Sequence, residues 1–312
     1  MFTRPTLLAS PAAVIDAVEQ LLGASVVREV PARMGFTLAI ASWVEDAGGR
    51  QAFVKAAALG SGGGEGVRIG AELADVVGDL APPLIAYCTV DGWAIALYDV
   101  IDGSALREWD DETVDAMADM SRTLRERLDP SPIGELESYA AAFAPLLGTW
   151  NALISPDHPS FETVAHLSDK QLPYGLDAVE LAILESRWFD APAVNSTSLQ
   201  HGDIRRDNVI RDPSGRLWLV DWTHRWSSPG WVDMVRVAPD IAASGYDPER
   251  FFQTSAWRDA PPDGVDVVLA GLAGRAWRDG FLPAVPDIPH LRSMQRDQAD
   301  ATLRWLASRL ER

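Results

Sequence analysis

The chain has 312 residues, 47 % of them hydrophobic and 23 % charged, an ordinary globular composition with length for one large domain or two moderate ones. Its formal net charge is −18, and residues 101–200 alone contribute −12. An acidic chain without a basic tract is a poor nucleic-acid binder and is repelled by anionic membrane surfaces. No apolar run approaches the roughly 18 residues of a membrane span, and the start lacks the apolar core of a signal peptide. Cys88 is the single cysteine, which excludes an intrachain disulfide and a multi-cysteine zinc site and makes a reducing cytoplasm the expected compartment.

In chain order, residues 11–22 carry an amphipathic helical pattern ended by Gly23. β-rich stretches follow at 25–30, 36–45 and 51–57, the last two separated by an acidic, glycine-containing turn. Residues 60–66 (GSGGGEG) read as a flexible connector, 67–78 as a helix, Pro82-Pro83 as the opening of a strand and 92–100 as another strand. The character changes near Asp102-Gly103. Helical patterns recur at 111–128, 136–153, 175–189, 262–280 and 290–310, with short strands at 197–201, 208–211 and 216–221. The layout is α+β: a small β-rich lobe over 1–100, a hinge near 97–103, and a larger, mainly helical lobe over 101–312.

The strongest chemical signal is His201-Gly202-Asp203, with Asn208 five residues after the acid and Asp221 thirteen residues further on, closing the apolar run Leu219-Val220. Phosphoryl transfer needs such a set. One carboxylate orients an attacking hydroxyl and accepts its proton, while an amide oxygen and a second carboxylate hold Mg²⁺, an ion that prefers hard oxygen ligands. A hairpin between them would bring Asn208 and Asp221 to one end. The pattern H-G-D-x-x-x-x-N followed by a strand-terminal Asp resembles the aminoglycoside phosphotransferase family of small-molecule kinases, and the likeness extends weakly over almost the whole chain. The resemblance implies a bilobal, protein-kinase-like fold with a small antiparallel-sheet N-lobe that binds nucleotide. It makes Asp203 the catalytic base and Asn208 and Asp221 the metal ligands. It also makes Asp233, in Pro229-Gly230-Trp231-Val232-Asp233, a brace for the loop around Asp203, and gives His201 a structural role.

A kinase N-lobe needs a third-strand lysine on the α- and β-phosphates and a helix glutamate to hold it. Lys55 ends a β-rich run, and only Lys170 joins it as lysine among 27 basic residues. A compact ammonium fits between phosphates and a carboxylate where the wide arginine fork does not. Glu72 is the expected partner. The run 60–66 lacks the G-K-[ST] ending of a Walker loop, so the phosphate-covering turn is expected around Gly35. Adenine is expected at the hinge backbone of Leu97, Tyr98 and Val100. Arg205 has two readings: neutralising γ-phosphate charge, or pairing with Asp207.

The expected activity is an ATP- or GTP-dependent, Mg²⁺-dependent phosphorylation of a small-molecule hydroxyl by a monomer or homodimer that binds neither nucleic acid nor membrane. An aminoglycoside or other antibiotic is the first acceptor class. A metabolic kinase for a sugar or amino alcohol, or a catalytically idle kinase-like binding protein, is the alternative. The acids of 102–119 suit a cleft for a cationic acceptor and equally a solvated helix start. Trp226, Trp231 and Trp257 are candidates for an acceptor pocket or for the core.

Overall fold

The computed structural model describes residues 4–32, 39–189, 197–285, 288 and 290–311. The first hundred residues supply α1 (Ala12–Leu22), β1 (Val26–Pro31), β2 (Ile40–Asp46), β3 (Gln51–Ala58), α2 (Gly62–Val77), β4 (Leu84–Val90) and β5 (Trp93–Tyr98). Next come β6 (Ser104–Ala105), α3 (Asp111–Leu128), β7 (Glu137–Ser138), α4 (Tyr139–Phe143), α5 (Thr149–Ile154), α6 (Phe161–Val164) and α7 (Ala178–Ser186). The remainder is β8 (Ser198–Gln200), β9 (Val209–Arg211), β10 (Leu217–Leu219), β11 (Trp226–Ser228), α8 (Trp231–Ala242), α9 (Pro248–Thr254), α10 (Pro262–Gly280) and α11 (Leu291–Leu310). Among the described residues no helix is long and apolar enough to cross a membrane.

These elements gather into two compact units. One is the chain up to Arg107 together with Arg205–Arg225; the other is Glu108–Ile204 with the chain from Trp226 onward. The expected boundary after residue 100 therefore moves to Arg107, and a later segment joins the first unit. The cause is strand pairing: β6 pairs with β9, and the Leu106 amide donates to the Val209 carbonyl at 3.0 Å.

The first unit is built on an antiparallel sheet of order β1-β2-β3-β5-β4. Side chains alternate across it. Ala52, Val54, Ala56, Ile95 and Leu97 pack with Val14, Val18 and Leu22 of α1, while Ala57, Ala94 and Ala96 pack with Val67 of α2. Lys55 sits in register with Ala41 and Ala96 and shares the parity of Ala57, so it belongs to the α2 face.

The run expected to be a connector is instead the first turn of α2, which starts at Gly62. Ser61 caps it, its Oγ accepting from the Gly64 amide at 3.0 Å. Two of the glycines answer close contacts: a Cβ on Gly64 would overlap the Ala58 carbonyl, and one on Gly66 would lie 3.1 Å from Thr223.

In the second unit α3 matches its expected span. Asp110 and Thr113 form a reciprocal cap, and Met117, Leu124 and Leu128 are buried. The single helix expected over 136–153 is divided into α4 and α5, because Pro145 closes one turn and Gly148 (φ +91°) opens the next. Fully buried Trp150, Trp188 and Trp305 fill this core. Two of them press on α10, where a Cβ on Gly271 or Gly274 would come within 2.8 Å of Trp188 or Trp150. Trp231 and Trp257 are core residues too, whereas Trp226 is half-buried, its ring centre 5.4 Å from that of Tyr139.

Candidate active site

In the first unit β9 and β10 form the expected hairpin, pairing Val209 with Leu219, and the Val220 amide extends it by donating to the Asn208 carbonyl at 2.9 Å. Asn208 and the residue after Val220, Asp221, therefore lie at the same end. Asn208 is buried, and Asp221 has φ +71°, a left-handed conformation uncommon for a side chain other than glycine. The β3 lysine reaches that end: Lys55 Nζ donates to Asp221 Oδ1 at 2.6 Å. Arg4 lies within electrostatic reach of Asp221, which offsets part of the effect of burial on its guanidinium. Nothing local in the sequence marks Arg4.

Glu72 does not pair with Lys55 in this structure. It takes Arg68 one turn earlier on α2 and Arg225 from the segment after the hairpin, at 3.5 Å. Two arginines thus capture the carboxylate expected on the lysine, and Asp221 takes its place there. Arg205 pairs with Asp207 in this structure. Its guanidinium forks onto Asp207, with Nε 3.1 Å and Nη2 2.9 Å from the two oxygens. At the expected hinge, Leu97 is fully buried and Tyr98 packs on the α2 face, its hydroxyl held protonated by burial and by Asp221. Both lie in β5, which is paired on each side, and sheet pairing ends at Tyr98. Of the three only Val100, which is exposed, falls beyond the sheet. Gly35 lies outside the described residues.

In the second unit β8 delivers the His201-Gly202-Asp203 turn. Asp233, in the first turn of α8, accepts from the His201 amide at 2.7 Å and the Gly202 amide at 2.9 Å. Burial pushes the Asp233 carboxyl up, opposed by His201, these two amides and Arg236. Gly202 has φ +77°, and His201 is fully buried, its Nδ1 facing the Asp203 amide at 3.3 Å. The loop is thereby locked while the Asp203 side chain stays one-third exposed. Arg236, a turn after Asp233, places Nη2 3.8 Å from Asp203 Oδ1 and donates from Nη1 to the Tyr139 hydroxyl at 2.7 Å. Burial works against its charge, but Tyr139, Asp203 and Asp233 hold it firmly protonated. No motif announced Arg236. Its only sequence signal is the helical step of three from Asp233.

The donors fit a magnesium ion. Asn208 and Asp221 offer amide and carboxylate oxygen, and Mg²⁺ takes one or two such ligands and completes its shell with water and phosphate. Among the described residues no group of three or more His, Cys, Asp or Glu could hold a metal.

No protein-family model matches the chain, and no curated protein sequence matches it. Solved structures do. The chain is similar to an aminoglycoside phosphotransferase from Alicyclobacillus acidocaldarius, at 14 % identity and TM-score 0.57, over 92 % of each chain. It is similar to choline kinase LicA from Streptococcus pneumoniae, at 15 % identity and TM-score 0.57, over 95 % of this chain and 98 % of that one. It is also similar to a thermostable mutant of aminoglycoside phosphotransferase APH(4)-Ia in ternary complex with AMP-PNP and hygromycin B, at 15 % identity and TM-score 0.58, over 96 % and 98 %. At such identities the likeness is one of fold: the chain has the two-lobed, protein-kinase-like α+β fold of the aminoglycoside phosphotransferases and choline kinases.

Proposed function

We propose that this chain is a phosphotransferase that moves the γ-phosphoryl group of ATP or GTP to a hydroxyl of a small molecule. The observation that carries the reading is the meeting of the β3 lysine with the hairpin acid, Lys55 on Asp221 at 2.6 Å, with Asn208 tied to the same hairpin end. Phosphate binding and metal binding need that combination in one place. The shared fold supports it, since relatives of that fold have been crystallised with AMP-PNP and hygromycin B or are choline kinases.

In this reading Lys55 binds the phosphates as a point charge. Asn208 and Asp221 would hold Mg²⁺, which when bound neutralises charge on the phosphate oxygens. Asp203, fixed by the Asp233 brace, orients the acceptor hydroxyl and accepts its proton as the acceptor oxygen bonds to the γ-phosphorus. The bond from that phosphorus to the nucleoside diphosphate breaks in the same exchange. The test is a transfer screen with γ-labelled ATP and GTP over aminoglycosides, other antibiotics, sugars and amino alcohols. Labelled product that requires Mg²⁺ supports the reading. Failure with every acceptor, under conditions where nucleotide binds, favours an idle kinase-like binding protein.

A further inference from the structure

Two arginines from different helices of the second unit, Arg236 of α8 and Arg275 of α10, lie within electrostatic reach of Asp203 and of each other. They stand over adjoining rings. The Arg236 guanidinium is 5.5 Å from the Tyr139 ring centre, the Arg275 guanidinium is 5.5 Å from that of Phe143, and the two rings are 5.4 Å apart. Stacking of this kind fixes the guanidinium plane and leaves its N–H edge for other partners.

Those edges are under-filled. Arg236 makes its hydrogen bond to Tyr139, stands 3.8 Å from Asp203, beyond hydrogen-bond reach, and has a buried Nε with no partner. Arg275 Nε stands 3.8 Å from one Asp279 oxygen, while Arg278 takes the other at 2.9 Å. Burial and the neighbouring Arg236 both work against the charge of Arg275. The side chains are 12 % and 40 % exposed, so one anchors the pair and the other reaches the open surface. A buried donor without a partner is costly, and the Arg236 Nε stays unfilled although Asp203, Asp233 and Asp279 lie near the two charges. A carboxylate or phosphate matches the guanidinium fork with parallel N–H···O bonds.

Two of the acids expected to draw a cation are engaged within their own helix. Glu108, Asp110, Asp111, Glu112, Asp115 and Asp119 are all exposed, Asp110 caps α3, and Asp119 pairs with Arg122. On the basis of the phosphotransferase reading, we propose that the acceptor carries an oxyanion group, carboxylate or phosphate, which docks on Arg236 and Arg275 and sets its hydroxyl beside Asp203. Selectivity on this face is then for an anionic acceptor, and polycations are disfavoured.

The experiment separates a small-molecule metabolite extract on an anion exchanger into retained and unretained fractions. Each is incubated with the full-length chain, Mg²⁺ and γ-labelled ATP or GTP. The proposal expects labelled product from the retained fraction. Product from the unretained fraction alone overturns it and leaves the phosphotransferase reading standing, whereas no product from either overturns both. With the product identified, Arg275→Gln should raise the KM for its acceptor at least about tenfold, the scale of one charged hydrogen bond, with kcat within about twofold and the KM for nucleotide unchanged. A rise in the KM for nucleotide instead would assign the arginines to the γ-phosphate and overturn the proposal. An unchanged acceptor KM would overturn it as well. Arg275→Lys, which keeps charge without the fork, should restore part of the loss.

Discussion

Lys55 and Asp221 are 166 residues apart in sequence and meet in a 2.6 Å ion pair within the first unit. The lysine is one-fifth exposed and lies between Ala41 and Ala96 on the neighbouring strands, and it offers the carboxylate a compact point charge rather than a planar fork. Lys55→Arg keeps the charge and should still impair nucleotide use. A charged hydrogen bond contributes about 1.5–3 kcal/mol, so the KM for nucleotide should rise about tenfold or more. Steady-state kinetics at varied nucleotide check this, and an unchanged KM would refute the role of the lysine.

Asp221→Asn removes the charge of the proposed metal ligand while keeping the side chain's size. Mg²⁺-dependent nucleotide binding should be lost in titration calorimetry, leaving only the metal-independent component. Equal affinity with and without Mg²⁺ in the parent chain, or full Mg²⁺ dependence in the variant, would remove Asp221 from the metal site.

Gly64→Ala tests the helix start. Alanine would gain up to about 1 kcal/mol of helix propensity, but its Cβ would overlap the Ala58 carbonyl. Overpacking against backbone costs about 1–3 kcal/mol or more, so the melting temperature should fall. Gly62→Ala, where a Cβ meets nothing within 4 Å, is the matched control and should melt at or above the parent temperature.

Glu185 is 3 % exposed on α7, its two oxygens have no hydrogen-bond partner, and burial pushes its carboxyl up to about 7, partly offset by the nearby amides of Gly148 and Trp150 and by Arg278. An acid raised on folding binds more protons folded than unfolded, so stability is greatest below its unfolded value and is lost as pH rises towards and past 7. The loss amounts to about 3 kcal/mol. Glu185→Gln should therefore melt higher than the parent chain at pH 8 and show less fall between pH 5 and 8. Parallel melting curves across that range would contradict the assignment.

Much of this was legible locally. The span 262–280 is read correctly because Pro262 marks its first turn and the apolar pattern runs unbroken to Gly280. Asp203, Asn208 and Asp221 were singled out by their spacing, and the hairpin does bring Asn208 and Asp221 to one end. What failed was decided by contacts distant in sequence or by local exceptions. Helix α8 was unassigned because Pro239 lies inside it, and the glycine run passed for a connector because its close contact with Ala58 is tertiary. Glu72 followed Arg68 and Arg225 rather than Lys55, a choice among cations that spacing does not encode. Arg4, Arg236 and Arg275 enter their sites from segments with no motif of their own.

Asp203→Asn tests the proposed transfer of the acceptor hydroxyl proton to Asp203 during phosphoryl transfer. Transfer of labelled γ-phosphate and nucleotide affinity should be measured together in the parent chain and the variant. Turnover should fall about 10²–10⁴-fold, the range for losing a general base, while nucleotide affinity stays within experimental error. Parent-level turnover in the variant would contradict the account.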